Sequence, residues 1–178
     1  ELHRKLKLSK MDPIKAYEYL TNVVFDEFPF AGPLDKAVAV AALMTAVQRP
    51  TIAGDSGMPG FGIVSPTQSS GKTTLAQLLS YSIYNRPVAA QSWTDDEEEL
   101  GKHLLGIFQE WHSCVLFDNI KQGAAIQSGR LANAMSNDMF GGRQLGENKV
   151  IQVPSSVVWL FTGNGISFVG DFATRIYT

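Results

Sequence analysis

One segment of the chain reads Phe61-Gly-Ile-Val-Ser-Pro-Thr-Gln-Ser-Ser-Gly-Lys-Thr-Thr-Leu75. It begins with a short apolar run, continues through a turn of small residues, and enters an amphipathic helical pattern after Gly71-Lys-Thr73. Strand, loop and helix in this order are typical of a phosphate-binding loop, because successive backbone N–H groups and the positive end of the helix attract an anion. The pattern therefore predicts that nine consecutive residues bind phosphate: Pro66, Thr67, Gln68, Ser69, Ser70, Gly71, Lys72, Thr73 and Thr74.

Two of these residues have distinct expected roles. Lys72 would reach the β- and γ-phosphates of a nucleotide, and the Thr73 hydroxyl would coordinate Mg²⁺. The strict pattern has glycine where this chain has Pro66, and proline supplies no N–H and fixes φ. The alternative is a chance Gly-Lys-Thr at a helix start. The strand before it and the helix after it favour phosphate binding.

Composition limits the class of protein. A length of 178 residues predicts one domain with short appendages. A single cysteine, Cys114, excludes an internal disulfide and fits a reducing compartment, with the side chain as buried filler. The net charge of −2 argues against a nucleic-acid coat protein. No apolar run has the length of a membrane span, so we expect a cytoplasmic protein with no membrane partner.

The chain is expected to have two parts, a helical N-terminal extension over residues 1–56 and an α/β core over 57–178. The extension would hold a helix capped by Asp12 with Pro13 at its first position, and a second helix over 34–48. The core has strand candidates at 61–65, 87–91, 114–117, 150–153 and 157–161. Their alternation with helical segments predicts a mainly parallel sheet flanked by helices. Because the chain begins at Glu1 and ends like a strand just begun, we expect a fragment of a longer protein.

One helix of the core has a start signal of its own. Thr94 and Glu97 have the spacing of a capping box, in which each side chain bonds the other residue's backbone N–H. The face packed on the sheet would then hold Leu100, Leu104, Ile107 or Phe108, and Trp111. A capped surface helix is the favoured interpretation over a catalytic role for Glu97 and its acidic neighbours.

Polar residues end two further strand candidates. Asp118 follows the apolar run Val115-Leu-Phe117 and could hold Mg²⁺ at the carboxyl end of its strand, with an ordinary surface aspartate as the alternative. Asn164 follows Val157-Val-Trp-Leu-Phe161-Thr-Gly and could bond the γ-phosphate or the attacking water. Its alternative is a turn residue, since Gly-Asn-Gly favours turns.

Several motifs in order carry a resemblance: Ser65-Pro-Thr-Gln-Ser-Ser-Gly-Lys-Thr73, Leu116-Phe-Asp-Asn119, Arg143-Gln-Leu-Gly146, Val153-Pro154, Trp159-Leu-Phe-Thr-Gly-Asn164, and Gly170-Asp171 followed by Arg175. Over about residues 25–178 the chain resembles the ATPase core of phage- and plasmid-encoded primase-helicase proteins, a branch of the AAA+ ATPases close to superfamily 3 helicases. The resemblance implies a P-loop NTPase fold with Lys72 and Thr73 in Walker A, Asp118 in Walker B and Asn164 as sensor 1. It also implies that Arg175 acts as an arginine finger in the neighbouring subunit. The implied machine is a homo-oligomeric ring, expected to be a hexamer, that uses ATP and Mg²⁺ to move along DNA.

One residue departs from that family. Most AAA+ ATPases have Glu after the Walker B Asp, and this chain has Asn119. An amide can orient water but cannot accept its proton, and positioning dominates phosphoryl transfer. Slow or regulated hydrolysis is therefore expected, with Asn119 as a water-positioning residue. A rival is that Glu98 or Asp171 serves as the base.

Two other assignments have plain alternatives. Arg175 could instead form a salt bridge with Asp171 four residues earlier. DNA contact in a ring channel could use Phe140 at a loop tip and nearby cations, and a surface loop with scattered charges is the alternative. The cations are Lys121, Arg130, Arg143 and Lys149.

Two other functions stay open on the sequence. One is a small-molecule or nucleotide kinase with the same phosphate loop. The other is a nucleotide-binding scaffold or helicase loader that does not hydrolyse ATP. No histidine has the spacing of a structural zinc site.

Overall fold

A computed structural model describes residues 12–49, 57–110, 112–143 and 149–178. The helices are α1 (Pro13–Tyr19), α2 (Pro33–Gln48), α3 (Lys72–Tyr84), α4 (Glu97–Gln109) and α5 (Gly129–Ser136). The strands are β1 (Gly60–Ser65), β2 (Ala90–Gln91), β3 (Cys114–Ile120), β4 (Ala125–Ile126), β5 (Met139–Arg143), β6 (Val150–Pro154), β7 (Val158–Asn164), β8 (Ser167–Phe168) and β9 (Ile176–Tyr177). A π-helical turn, Leu20–Val24, extends α1, and a 3-10 helix, Gly170–Arg175, precedes β9.

The centre of the fold is a parallel sheet with the strand order β2-β3-β7-β1-β9. β7 lies between β1 and β3, with Ser65 directly opposite Asn164 at the carboxyl ends. Parallel strands end at one edge of the sheet, so the residues that follow β1, β3 and β7 adjoin. The predicted α/β architecture with a mainly parallel, helix-flanked sheet is confirmed.

Helices cover both faces of the sheet. On one face α2 and α3 pack against β1, β3 and β7 through residues such as Ala42, Leu79 and Leu160. On the other face α4 and α5 pack through residues such as Leu104 and Phe108, as the spacing within α4 predicts. The middle strands are therefore buried on both sides, which explains their unbroken apolar runs.

The two N-terminal helices begin where the sequence predicts. Asp12 accepts hydrogen bonds from the backbone N–H groups of Ile14 and Lys15, and Pro13 occupies the first turn. α2 starts at Pro33 and ends at Gln48. Because α2 shares a core with α3 and the sheet, it forms a layer of the same globule; the proposed boundary near residue 57 lies beside residues outside the described part of the chain.

The capping box at α4 is a wrong prediction. Asp96 is the N-cap and accepts hydrogen bonds from the N–H groups of Glu98 and Glu99 at 2.9 and 3.0 Å. The Thr94 hydroxyl accepts from the N–H of Asp96, one step before the helix. Glu97 accepts from the backbone N–H of Arg130 at 2.9 Å, and so joins α4 to α5 instead of closing the box.

The strand candidate at 150–153 does form, as β6, but not in the central sheet. It pairs antiparallel with β5, with Arg143 opposite Val150. The antiparallel direction follows from chain length, because a parallel crossover needs about a dozen residues or more and far fewer separate β5 from β6. β2 is also shorter than the predicted 87–91, since the Val88 backbone is bonded on both sides by the Gln77 amide.

Phe140 contradicts its prediction as a loop tip. It lies inside β5 with 1% of its surface exposed, and its ring centroid is 5.4 Å from that of Phe108. The strand continues through Gly141 and Gly142 to Arg143, so the glycines extend a hairpin strand rather than open a loop. Phe140 therefore anchors the hairpin to α4 and cannot stack on DNA there.

The helices of the described part of the chain include none long and apolar enough to cross a membrane.

Candidate functional site

The 65–72 loop joins β1 to α3, and side chains within the loop form hydrogen bonds with its backbone. The Ser65 hydroxyl accepts from the N–H of Thr67 at 3.2 Å, and the Ser70 hydroxyl donates to the Thr67 carbonyl at 3.3 Å. Gly71 has a φ of 82°, in the left-handed region that favours glycine. Ser69 shares that region with a φ of 55°. The loop is thus a tight turn whose conformation is supported by its own hydrogen bonds.

The start of α3 offers N–H donors that no described residue pairs. Gly71 stands at the N-cap, and none of the described side chains caps the helix. The N–H of Leu75 bonds the Gly71 carbonyl at 2.8 Å, whereas the N–H groups of Lys72, Thr73 and Thr74 precede that first helical bond. Free N–H groups at the positive end of a 13-residue helix attract an anion.

Lys72 folds back over this loop. Its Nζ donates to the Thr67 carbonyl and to the Ser70 hydroxyl, both at 2.9 Å. The ammonium group therefore stands beside the same N–H groups and adds a full positive charge to them. If an anion bound in the loop, the Lys72 ammonium could donate to it instead of to these two neutral acceptors. A hydrogen bond between two charged groups is stronger than one to a neutral acceptor.

Asp118 lies close to the start of α3. The Thr73 hydroxyl donates to its Oδ1 at 2.9 Å, although the two residues are far apart in the chain. The Thr162 hydroxyl donates to the same oxygen. Two oxygen ligands side by side suit Mg²⁺, which prefers few protein oxygens together with phosphate and water. The described residues contain no group of three or more His, Cys, Asp and Glu that could cage a metal.

Asn119 and Asn164 face the same pocket as the loop. The pocket has a volume of about 490 Å³ and is lined by residues 68–74 together with these two asparagines. The Asn164 Oδ1 is buried and has no hydrogen-bond partner in the described part of the chain. Such an atom is costly unless a ligand or water bonds it. Asn119 has a left-handed φ of 53° beside a bulge in β3.

The structure therefore brings together most residues of the predicted site. The 68–74 segment, Asn119 and Asn164 line one pocket, whereas Asp118 does not line it but is bonded to Thr73, which does. Pro66 faces the other side of the loop, toward an apolar pocket. Arg175 does not line either pocket and instead pairs with Asp171 at 2.8 Å, as its alternative interpretation predicts.

The rival bases lie elsewhere. Glu98 forms a salt bridge with Lys102 at 3.1 Å on the exposed side of α4. Asp171 is occupied by Arg175. Neither lines the pocket beside the 65–72 loop. Asn119, which follows Asp118, lines this pocket, whereas the two rival bases do not.

The predicted DNA-contacting cations are all exposed. Lys121 follows β3, and Arg130 begins α5 against α4. Arg143 ends β5 and Lys149 precedes β6, so both lie at the same end of the hairpin. The basic residues Arg4, Lys5, Lys7 and Lys10, for which the sequence favours a solvated helix end or linker over a DNA site, fall outside the described part of the chain.

An apolar pocket on the other side of the loop was missed from the sequence. It has a volume of about 370 Å³ and is lined by the aromatic 28–31 turn, α2, β1 and the loop. Phe25, Phe28 and Phe30 form a cluster with centroid distances of 6.1 to 6.4 Å. A Cβ placed on Gly71 would lie 3.9 Å from the Phe28 ring. The signal for it in the sequence is Phe28-Pro-Phe30, which has the residues of a turn but carries two aromatic rings.

Cys114 lies away from both pockets at the amino end of β3, 7% exposed, as predicted for buried filler. Burial raises the pKa of its thiol to about 12. Burial also raises the pKa of the Tyr84 hydroxyl, which donates to the Ser113 carbonyl at 3.1 Å, to about 12.

Comparison with known proteins gives no family model that matches the chain and no curated protein of similar sequence.

Proposed function

We propose that this protein binds a nucleoside triphosphate with Mg²⁺ at the 65–72 loop and hydrolyses it, as a P-loop ATPase that drives a replication motor on DNA. The observation that carries the proposal is the 2.9 Å hydrogen bond from Thr73 to Asp118. This bond supports the proposal because it joins a hydroxyl and a carboxylate that suit Mg²⁺, next to Lys72 and a helix start whose first N–H groups have no partner among the described residues.

The polar pocket fits the phosphates. Loop N–H groups, the α3 dipole and Lys72 supply positive charge without competing carboxylates among the pocket-lining residues. The γ-phosphate end would face Asn119 and Asn164. Hydrogen bonds from preorganised donors to developing charge stabilise the transition state of phosphoryl transfer.

The apolar pocket supports a nucleotide rather than a bare polyphosphate. It adjoins the same loop, with Ser70, Gly71 and Lys72 lining both pockets. Its aromatic wall, Phe28 and Phe30, matches the flat face of a base. Phosphates on one side of the loop and a base on the other would span the two pockets.

The residues present fit Mg²⁺, with the Thr73 hydroxyl and the Asp118 carboxylate as its protein ligands. When bound, the ion would neutralise charge on the phosphate oxygens. Lys72 would hold the β- and γ-phosphates, and Asn119 would orient the attacking water. Asn164 would accept from that water through its unpartnered Oδ1.

The ring, the arginine finger and DNA movement are carried by the sequence resemblance. Arg175 would need to leave Asp171 to reach a neighbouring site. The exposed cations of the β5–β6 hairpin, Arg143 and Lys149, would contact single-stranded DNA. A second candidate function is a nucleotide-binding scaffold or helicase loader without turnover, which the amide at Asn119 favours.

The test is ATP binding and hydrolysis by the wild type and Lys72→Ala, with and without single-stranded DNA. Removing a charge-assisted bond of about 1.5 to 3 kcal/mol should weaken ATP binding about 10- to 100-fold. Lys102→Ala is the matched control, because Lys102 is exposed and pairs only with Glu98 and Glu99 among the described residues. Inorganic triphosphate should bind more weakly than ATP if the apolar pocket holds the base.

The outcomes separate the candidates. DNA-stimulated release of phosphate that Lys72→Ala loses supports the motor. Tight ATP binding without turnover, even in assembled rings, supports the scaffold. ADP formation without equal phosphate release would indicate transfer to an acceptor and hence a kinase. Equal ATP affinity in Lys72→Ala and the wild type would refute nucleotide binding at this loop.

A further inference from the structure

Thr162 is a buried polar residue within the apolar strand β7, with 1% of its surface exposed. Its hydroxyl accepts a hydrogen bond from the backbone N–H of Asn119 at 3.0 Å and is also bonded to the Asp118 Oδ1. An N–H group can only donate, so the single hydroxyl hydrogen is donated to Asp118. Thr162 therefore has one fixed hydrogen-bond arrangement.

This arrangement completes a bulge in β3. Phe117 pairs with Phe161 and Ile120 pairs with Gly163, so Asp118 and Asn119 together stand opposite Thr162. A bulge interrupts the regular ladder of backbone hydrogen bonds. The Thr162 side chain supplies the acceptor that the Asn119 N–H needs, while Asn119 takes its left-handed φ of 53°.

Thr162 also connects this bulge to Asn164. Residues two apart in a strand point to the same face, so Thr162 and Asn164 share a face of β7. The Asp118 Oδ1 receives hydroxyl hydrogens from both Thr73 and Thr162. No hydrogen bond from the described residues reaches its Oδ2. One hydroxyl thus orients the carboxylate, fixes the Asn119 backbone and ties both to the strand that presents Asn164.

We infer that Thr162 is a positioning residue that sets the geometry of the Mg²⁺ and water sites; this rests on the proposed function. Thr162→Val keeps the shape of the side chain and removes both hydrogen bonds. Loss of such an outer partner should weaken the apparent Mg²⁺ affinity about 10- to 100-fold and lower turnover with it. Nucleotide affinity in EDTA depends on Lys72 and the loop, so it should change by less than about twofold.

The experiment compares Thr162→Val, Thr162→Ser and the wild type. Fluorescent-nucleotide binding is titrated with and without Mg²⁺, and hydrogen exchange of the Asn119 amide is measured without ligand. The valine variant should need more Mg²⁺ and lose protection at the Asn119 amide, and serine should restore both. Thr21→Val is the matched control, since Thr21 is also buried and its hydroxyl donates to the Tyr17 carbonyl at 3.0 Å. It should change neither reading.

Wild-type Mg²⁺ dependence and Asn119 protection in Thr162→Val would overturn the inference, as would equal effects in Thr21→Val. If the valine variant does not fold, Thr162→Cys against Thr162→Ser repeats the test, because a thiol is a weak hydrogen-bonding group. Failure of the wild type to bind nucleotide would instead overturn the proposed function and with it the role toward Mg²⁺. A protein that binds nucleotide normally but ignores the loss of this hydroxyl overturns the positioning role alone.

Discussion

Asn119 carries two separable properties in one residue. Its backbone has a φ of 53°, a conformation that asparagine tolerates better than most residues. Its side chain lines the pocket beside the 65–72 loop. The side-chain amide can orient a water molecule without accepting its proton, and it would therefore contribute to turnover. The backbone conformation contributes to stability.

Asn119→Ala and Asn119→Gly separate these properties. Both remove the amide, and misplacing a reacting group can cost about 100-fold in rate, so both should lose hydrolysis about equally. Only alanine is strained at this φ, so Asn119→Ala should be less stable than Asn119→Gly by about 1 kcal/mol. Phosphate-release rates and urea unfolding measure the two effects. Full turnover in either variant would show that another group positions the water.

At the residue scale, the sequence predicts the polar groups at the ends of apolar runs and misses the group within one. Asp118 and Asn164 end the apolar runs of β3 and β7, and Lys72 begins the helix after β1; parallel strands bring these three places to one edge of the sheet. Thr162 sits inside such a run, where a threonine is an ordinary strand residue. Its role depends on the bulge opposite it, which no periodicity in the sequence marks.

The helix α4 is capped by Asp96 and not by the predicted Thr94. Asp96 accepts two backbone hydrogen bonds and places a negative charge at the positive end of the helix. Asp96→Ala should therefore cost about 1 kcal/mol, which is about 2–4 °C in melting temperature for a chain of this size. Thr94→Val is the control and should cost less, because Thr94 precedes the helix. If Thr94→Val lowered the melting temperature more than Asp96→Ala, Thr94 and not Asp96 would be the cap of this helix.

At the element scale, the identity of helices and strands follows from periodicity, but their partners do not. The 150–153 strand has the same apolar character as a strand of the central sheet. Its pairing with β5 is decided by the short connection and by Phe140, whose ring packs on Phe108. The alternation Phe140-Gly-Gly-Arg143 resembles a loop because glycine is rare in strands.

At the scale of the whole molecule, the feature that matters most for the site is the order of the strands in the central sheet. Placing β7 between β1 and β3 is what brings Asn164 opposite Ser65, and this order rests on contacts between distant segments. The two-residue strand β9 forms at the strand-like end of the sequence, but nothing in that segment predicts its place next to β1. The sequence predicts the class of sheet, whereas the choice of neighbours depends on packing of the helices on both faces.

A buried thiol at the amino end of β3 determines how the stability of the whole molecule should change at alkaline pH. Cys114 begins β3 in the core, where burial raises the pKa of its thiol from 9.0 to about 12. The native state therefore keeps a proton that the unfolded chain loses, so stability is present below about pH 9 and falls as the pH rises toward about 12. Tyr84 acts in the same direction from an ordinary pKa of 10.0.

Urea unfolding at about pH 8 and about pH 10.5 tests this linkage. The wild type should lose about 2 kcal/mol more than Cys114→Ala between the two pH values, because the variant has no thiol to ionise on unfolding. Cys114→Ala itself should be less stable at the lower pH, since it leaves a small cavity. Tyr84→Phe should reduce the remaining loss above about pH 10. An identical loss in the wild type and Cys114→Ala would mean that the thiol ionises as freely in the folded protein as in the unfolded chain.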